Sequence, residues 1–224
     1  MTAGNAGDDS RPNRAGIILA GGRSTRFHDA DKAFAELAGE PMVRRVATRL
    51  ATVTHELVVN CRADQRAAME ETMADSPHPV KLAIDEEPDR GPMAGIATSL
   101  RTTTADLAAV VACDMPFVEP FFVEYLFELV DDGSVDAAVP RLSDGWYQPT
   151  QAVYRNDPML AACERALERG DGRILDALSA LTYEIVEEST IERRTDLETF
   201  ENVNTREEFE AAARRIAERD GEDG

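Results

Sequence analysis

The sequence predicts a single-domain α/β protein built on a mostly parallel, doubly wound sheet. Two observations favour this fold class. Short apolar runs alternate with amphipathic helical segments, a pattern that favours right-handed crossovers and parallel strand pairing. The run LAAVVA at residues 107–112 is apolar throughout, as expected of a strand that helices cover on both faces.

The alternation is regular up to residue 140 and weaker beyond it. The first strand, AGIILA, leads directly into Gly21 and Gly22. Pro41 suits the first turn of a helix, and the capping box T-R-E-E at residues 205–208 starts the last one. The predicted strands are 15–20, 56–60, 80–84, 107–112, 135–139, 151–154 and 182–186. The predicted helices are 41–53, 63–74, one that begins after Gly91-Pro92, 120–131, 158–169, 173–180 and one that begins at Thr205.

No linker or internal repeat divides the chain, so we expect one domain over residues 15–219 between disordered tails at 1–14 and 220–224. No run approaches the roughly 18 apolar residues of a membrane span. The N-terminus lacks the apolar segment of a secretory signal. The cysteines Cys61, Cys113 and Cys163 stand singly, which indicates buried thiols in a reducing compartment rather than a disulfide framework or a zinc site. We therefore expect a cytoplasmic protein with no membrane partner.

The formal net charge of −19 excludes sequence-independent binding to DNA or to anionic membranes, so we expect no nucleic-acid partner. Of the 24 basic residues only Lys32 and Lys81 are lysines. Strong acidity with so little lysine predicts a halophilic protein, because concentrated salt shortens the Debye length to about 3 Å at 1 M and screens self-repulsion. The alternative is an acidic protein of an ordinary cytosol.

Charge is distributed unevenly along the chain. Residues 11–45 hold seven basic side chains against four acidic ones, whereas residues 184–224 hold fourteen acidic against six basic ones. An acidic protein that keeps a positive N-terminal stretch is expected to bind an anion there.

Ligands of doubly wound sheets bind at the carboxyl ends of the strands. This rule selects four loops, at residues 21–32, 60–62, 85–95 and 113–117. In the first, two adjacent glycines let backbone N–H groups approach a polyanion, and Arg26 and Lys32 add positive charge. The alternative interpretation is an ordinary tight turn between a strand and a helix.

The first loop reads L-A-G-G-x-x-x-R-F-x-x-x-D-K over residues 19–32, which resembles the signature of nucleotidylyltransferases. Within that superfamily the chain resembles the molybdenum cofactor guanylyltransferases, the MobA family, over residues 15–212. The resemblance implies a Rossmann-like nucleotidyltransferase fold. The other motifs that carry it, in chain order, are G-E-P-M at 39–42, Asp85 with G-P-M-A-G at 91–95, C-D-M-P-F at 113–117, P-T-Q-A-V-Y at 149–154 and N-V-N-T at 202–205.

The resemblance implies an enzyme that transfers GMP from Mg²⁺-bound GTP to the terminal phosphate of molybdopterin, with pyrophosphate as the other product. It implies Mg²⁺ as the cofactor and transient contact with proteins that deliver the pterin or receive the product. The expected catalytic residues are Arg26, Lys32 and Asp114, with Asp114 as the metal ligand. The expected nucleotide-binding residues are Leu19, Ala20, Gly21, Gly22, Lys32, Asn60, Asp85 and Asp114; the expected acceptor-binding residues are Arg173, Asn202 and Asn204.

The chemistry of these residues also permits roles other than those that the resemblance implies. Asp114 could cap a turn, and Asn60 and Asp85 could simply form turns at strand ends. Lone aromatics such as Trp146 and Tyr147 are expected to pack rather than to stack on an acceptor ring. His28 stands where the family usually has glycine, which leaves open a catalytically silent nucleotide-binding module. A transferase for CTP or ATP, or for a cobinamide or sugar phosphate, is the nearest rival.

Overall fold

The computed structural model of the protein describes residues 12–22, 31–76, 78–85 and 90–222, with side chains up to Arg219. Its centre is a seven-stranded sheet with the strand order β5-β4-β1-β6-β8-β7-β9, beside a two-stranded hairpin, β2-β3. The strands are β1 (Arg14–Leu19), β2 (Glu36–Leu37), β3 (Glu40–Pro41), β4 (Glu56–Arg62), β5 (Val80–Asp85), β6 (Leu107–Ala112), β7 (Ala137–Arg141), β8 (Gln151–Arg155) and β9 (Tyr183–Glu187).

Helices cover both faces of the seven-stranded sheet. The helices of the described residues are α1 (Met42–Ala51), α2 (Arg66–Thr72), α3 (Pro92–Thr102), α4 (Pro120–Asp131), α5 (Asn156–Glu168), α6 (Ile174–Leu178), α7 (Glu188–Ile191) and α8 (Arg206–Glu222). Buried side chains of α1, α2 and α4 pack with Ile18 on one face, and those of α3, α5 and α6 pack with Ile17 on the other. Because successive strand residues point to opposite faces, β1 is buried on both sides. The doubly wound α/β prediction is confirmed.

One strand runs against the others. β8 pairs antiparallel with both β6 and β7, while the other pairs in the sheet are parallel. The carboxyl ends of β1, β4, β5 and β6 therefore meet at one edge of the sheet. The sequence correctly predicts a mostly parallel sheet, but its periodicity does not reveal the direction of β8.

Several boundaries differ from the prediction. The fifth predicted strand, residues 135–139, lies at Ala137–Arg141. The predicted helix 63–74 is a 3₁₀ turn, Ala63–Gln65, followed by α2. The hairpin β2-β3 is not predicted from the sequence, because its two-residue strands are too short to show a period. Its turn places Ala38 at φ 52° and Gly39 at φ 82°.

The first strand and the last helix lie close to the predicted ends of the folded segment. β1 begins at Arg14, and α8 continues to Glu222, so the helix enters the segment predicted as a C-terminal tail. Residues 1–11 of the predicted N-terminal tail lie outside the described residues. Within the described part of the chain, no helix is long and apolar enough to cross a membrane. All three cysteines lie in that part and are free thiols.

Candidate active site

Lys32, Asp114 and Asn204 meet at the carboxyl edge of the sheet. Lys32 opens a 3₁₀ turn, Lys32–Phe34, that the Asp31 side chain caps. Its Nζ lies 2.8 Å from Asp114 Oδ2 and 2.8 Å from Asn204 Oδ1. Lys32 is 8 % exposed, so its charge is held in a site with little competing solvent. The cluster joins residues that are 82 and 172 positions from Lys32 in the sequence.

Two backbone features hold the partners of Lys32 in place. Asp114 lies two residues after the end of β6, and the intervening Cys113 N–H donates to Leu19 O of β1 at 3.0 Å. Val203 N–H donates to Asp114 O at 2.9 Å, which brings the N-V-N-T segment against the strand end. The later motif therefore belongs to the same site as the first loop.

The two carboxylate oxygens of Asp114 differ in their hydrogen bonding. Its Oδ2 accepts from Lys32, while its buried Oδ1 has no hydrogen-bond partner among the described residues. A buried carboxylate oxygen without a donor is costly unless a cation or a ligand satisfies it. Mg²⁺ commonly binds one or two carboxylates together with substrate phosphates, so Asp114 fits this metal. The described residues contain no group of three or more His, Cys, Asp or Glu arranged as a complete metal site.

A second cluster lies at the ends of β4 and β5. Asn60 Nδ2 donates to Asp85 Oδ1 at 2.7 Å and to Ala83 O at 3.1 Å. Burial raises the pKa of Asp85, and the hydrogen bond from Asn60 and the charge of Arg62 oppose that rise. A partly buried carboxylate beside an amide can accept the N–H groups of a nucleobase.

Two glycines pack tightly against this pair. A Cβ on Gly21 would lie 2.6 Å from Asp85 Oδ2 and 3.1 Å from Asn60 Oδ1. A Cβ on Gly95, in the first turns of α3, would overlap Asn60 Oδ1. The first loop and the G-P-M-A-G motif are therefore joined through Asn60 and Asp85.

The remaining predicted residues are divided between several places. Leu19, Ala20, Gly21 and Gly22 form the end of β1 and the start of the first loop, and Ala20 N–H donates to Asn60 O at 2.9 Å. Arg26 lies outside the described residues, as does His28. The Asn202 side chain is 3.5 Å from Phe200 O, and no contact joins it to Lys32 within the part of the chain that is described.

Arg173 stands apart from the Lys32 cluster. It pairs with Asp176 at 2.9 Å at the start of α6, and its side chain is 80 % exposed. The neighbouring residue, Gly172, has its carbonyl oxygen 3.3 Å from where a Cβ on Gly91 would be. Arg173 therefore lies beside the start of α3, and among the described residues it has no contact with Asn204.

The site has no activated nucleophile among its described residues. Burial raises the pKa of the Cys113 thiol to about 12, with a further contribution from the charge of Asp114. A thiol with such a pKa stays protonated and unreactive near neutral pH.

Tyr147 packs edge-to-face on Tyr183 with ring centroids 6.4 Å apart, whereas Trp146 is 70 % exposed. The expectation of packing is confirmed for Tyr147 and is wrong for Trp146, whose side chain is largely exposed.

Several residues support the site without a role predicted from the sequence. Gly95 makes room for the Asn60 side chain. Glu208 accepts from Asn204 N–H at 2.6 Å and from Thr205 N–H at 2.9 Å, so the capping box of α8 also orients Asn204. The T-R-E-E pattern was the available signal for Glu208, whereas the Gly95–Asn60 contact has no local signature.

At one edge of the sheet the structure brings together a lysine, a carboxylate, a paired glycine turn and an Asn–Asp pair, with no activated nucleophile among the described residues. This arrangement is typical of nucleotide-binding α/β transferases. Comparison with known proteins agrees with this class. The MobA-like NTP transferase domain model matches residues 16–182. The chain belongs to this family of nucleotidyltransferases.

Individual relatives are similar over nearly their whole length. A probable molybdenum cofactor guanylyltransferase of Natronomonas pharaonis is 48% identical over 205 residues, which cover 91% of this chain and 98% of that protein. One from Haloferax mediterranei is 38% identical, with 90% and 94% covered. Among solved structures, molybdopterin-guanine dinucleotide biosynthesis protein A from Archaeoglobus fulgidus has a TM-score of 0.75 at 24% identity, with 91% and 99% covered, which supports the fold.

Proposed function

We propose that this protein transfers GMP from GTP to the terminal phosphate of molybdopterin and releases pyrophosphate. A phosphate oxygen of the acceptor attacks the α-phosphorus, and the bond from that phosphorus to the oxygen that bridges it to the β-phosphate breaks. The relatives named as molybdenum cofactor guanylyltransferases support the substrates, since one of them is 48% identical at 91% coverage of this chain. The meeting of Lys32 with Asp114 is the single observation that supports the chemistry most strongly.

The acceptor phosphate is anionic near neutral pH, so no general base is needed to form the nucleophile. Catalysis then consists of alignment and charge neutralisation. Lys32, helped by Arg26 and by the backbone of Gly21 and Gly22, holds the phosphates of the nucleotide. Asp114 would hold Mg²⁺ through its spare Oδ1, and the ion, when bound, supplies positive charge to the triphosphate.

The Asn60–Asp85 pair is suited to the guanine base. Guanine presents N–H donors at N1 and N2, which an ionised carboxylate accepts, and an O6 acceptor, which an amide or backbone N–H satisfies. Ala20 and Leu19 would border the same pocket. On the acceptor side, Asn204 is positioned beside Lys32, and Asn202 and Arg173 are proposed to bind the pterin or its phosphate.

We also propose a cytoplasmic location for the protein. Three free cysteines and the biosynthetic role of the relatives support a location in a reducing cytoplasm. The excess of acidic over basic residues, with only two lysines, supports a cytoplasm of high salt concentration. Transient contact with proteins that supply the pterin or take the dinucleotide product follows from the proposed reaction.

Pyrophosphate release in the presence of Mg²⁺ tests the substrates. GTP, ATP and CTP are each offered with molybdopterin, with a cobinamide phosphate and with a sugar phosphate. The proposal predicts release with GTP and molybdopterin together and little with any other pair. Release with another nucleotide or acceptor would assign the chain to a related transferase, and tight GTP binding without turnover would make it a silent module.

A further inference from the structure

A network of side chains holds the two ends of the first loop together from outside the loop. Gln65, which is 3 % exposed, donates from Nε2 to Ala20 O at 3.0 Å and to Asp31 Oδ2 at 2.6 Å. Its Oε1 accepts from Arg62 N–H at 2.8 Å. Because the amide uses both its donor group and its acceptor, the orientation of Gln65 is fixed. Ala20 directly precedes the loop and Asp31 is its penultimate residue, so Gln65 bridges the loop at its base.

Arg62 makes a second bridge beside the first. Its Nη1 lies 3.3 Å from Gly21 O and 3.0 Å from Gly22 O, and its Nη2 lies 3.0 Å from Asp31 Oδ2. The remaining contacts of the guanidinium group, from Nε and Nη2, go to Asp64 at 3.1 Å each. Every guanidinium nitrogen is therefore engaged with protein oxygen, which leaves the group suited to hold the backbone rather than to bind a phosphate.

The direction of these hydrogen bonds matters for anion binding. Three successive carbonyls, those of Ala20, Gly21 and Gly22, accept from Gln65 or Arg62. In a trans peptide the N–H group points opposite to the preceding carbonyl, so the N–H groups of Gly21 and Gly22 turn away from this network. The same contacts thus keep carbonyl oxygens away from a bound phosphate and present N–H groups in their place.

Asp31 transmits the constraint to the catalytic lysine. Its Oδ2 accepts from both Arg62 and Gln65, while its Oδ1 caps the 3₁₀ turn by accepting from Ala33 N–H at 3.3 Å. Lys32 is the first residue of that turn and reaches Asp114 from it. A displacement of Asp31 would therefore displace the Lys32 ammonium group.

We propose that Arg62 and Gln65 are positioning residues for nucleotidyl transfer, acting through Asp31 on Lys32 and through the carbonyls of residues 20–22 on the glycine backbone. The inference rests on the proposed function for its kinetic consequence. It needs no contact between either residue and the substrates.

The variants R62K and Q65M test the proposal, with D64N as the matched control. Asp64 contacts the same guanidinium group, but its side chain is 73 % exposed, whereas the buried Gln65 bridges Ala20 and Asp31. We expect R62K and Q65M to lower kcat/KM for GTP by between about tenfold and a hundredfold, as small misplacements of catalytic groups do. D64N should stay close to the wild type. In the double variant R62K/D31N, kcat/KM should be little lower than in whichever of the two single variants has the lower value. The reason is that both substitutions disrupt the same contact between Arg62 and Asp31.

Amide hydrogen exchange of the substrate-free protein provides a readout independent of turnover. Exchange should accelerate in peptides that cover residues 20–22 and 31–34 of R62K and Q65M, and stay unchanged in β6 and in D64N. Unchanged exchange, or fully additive losses in R62K/D31N, would overturn the proposal; GTP affinity lost with exchange unchanged would make Arg62 a phosphate ligand. If the wild type itself transfers no GMP, the proposed function fails, while the exchange data still decide whether the network positions the loop.

Discussion

Lys32 is one of only two lysines in the chain, and the other one provides a matched control. Lys81 lies near the amino end of β5, pairs with Glu56 at 2.7 Å and has a side chain that is 45 % exposed. Lys32 instead lies between Asp114 and Asn204, at the proposed binding site for the nucleotide phosphates. The two residues therefore separate the general effect of losing a lysine from the effect at the site.

Replacement of Lys32 by alanine should lower kcat by about 10²–10³-fold, the cost of removing one electrostatic contact to a transition state. K81A should retain the wild-type rate. Steady-state pyrophosphate release measures both, and circular dichroism checks that each variant folds. Equal rates for K32A and wild type would remove Lys32 from the catalytic machinery.

Gly95→Ala should weaken GTP binding although alanine is favoured over glycine in a helix. The added Cβ overlaps Asn60 Oδ1, so Asn60 must move away from Asp85 and disturb the proposed base pocket. Gly172→Ala is the control, because a Cβ there meets no atom within 4 Å. Titration calorimetry with GTP compares them; an unchanged dissociation constant in G95A would show that the Asn60–Asp85 pair does not bind the base.

At the scale of single residues, the strand-end loops made Lys32, Asn60, Asp85 and Asp114 candidates, and the family resemblance implied their roles. It could not reveal that Gly95 accommodates Asn60 or that Arg62 reaches Gly21, since such contacts depend on how distant elements pack. Arg62 and Gln65 have no local signature beyond their position after a strand.

Among the elements, α8 links fold and site through its first turn. Glu208 accepts from the N–H groups of Asn204 and Thr205, and its own N–H donates to Thr205 Oγ1 at 3.2 Å. The hydrogen bonds from Asn204 and then from Thr205 lower the pKa of Glu208. Because its folded pKa is depressed, its contribution to stability is present above the unfolded value and is lost as pH falls through the folded value.

E208Q should therefore be less stable than the wild type at pH 7, with a difference that disappears as the solution is acidified below the pKa of Glu208. Urea unfolding at several pH values measures this difference. E207Q is the control, because Glu207 is an exposed neighbour on the same helix. A difference between E208Q and wild type that is constant with pH would contradict the capping role of the ionised carboxylate.

The elements themselves were largely predictable. The strand Leu107–Ala112 and the helix Pro120–Asp131 have the bounds that the apolar runs and Pro120 indicate. Two features could not be predicted from the sequence. The direction of β8 is set by tertiary pairing, and the two-residue strands of the β2-β3 hairpin have no measurable period.

For the molecule as a whole, the net charge of −19 makes stability depend on salt. The Debye length falls from about 10 Å at 0.1 M to about 3 Å at 1 M, so self-repulsion should be screened over this range. We expect the urea midpoint to rise as KCl is raised to molar concentration. E71K/E218K provides the comparison: two exposed acidic side chains are reversed, the net charge changes from −19 to −15 (two charge units each), and the rise should be smaller. A midpoint that is flat or falls with KCl would contradict the halophilic interpretation.

The most direct measurement is the mass of the product formed from GTP, Mg²⁺ and molybdopterin in molar KCl. The account predicts a pterin that carries one added GMP, formed with pyrophosphate by the wild type and by K81A, and almost absent with K32A. No such dinucleotide from folded, GTP-binding protein, or equal amounts from wild type and K32A, would contradict it.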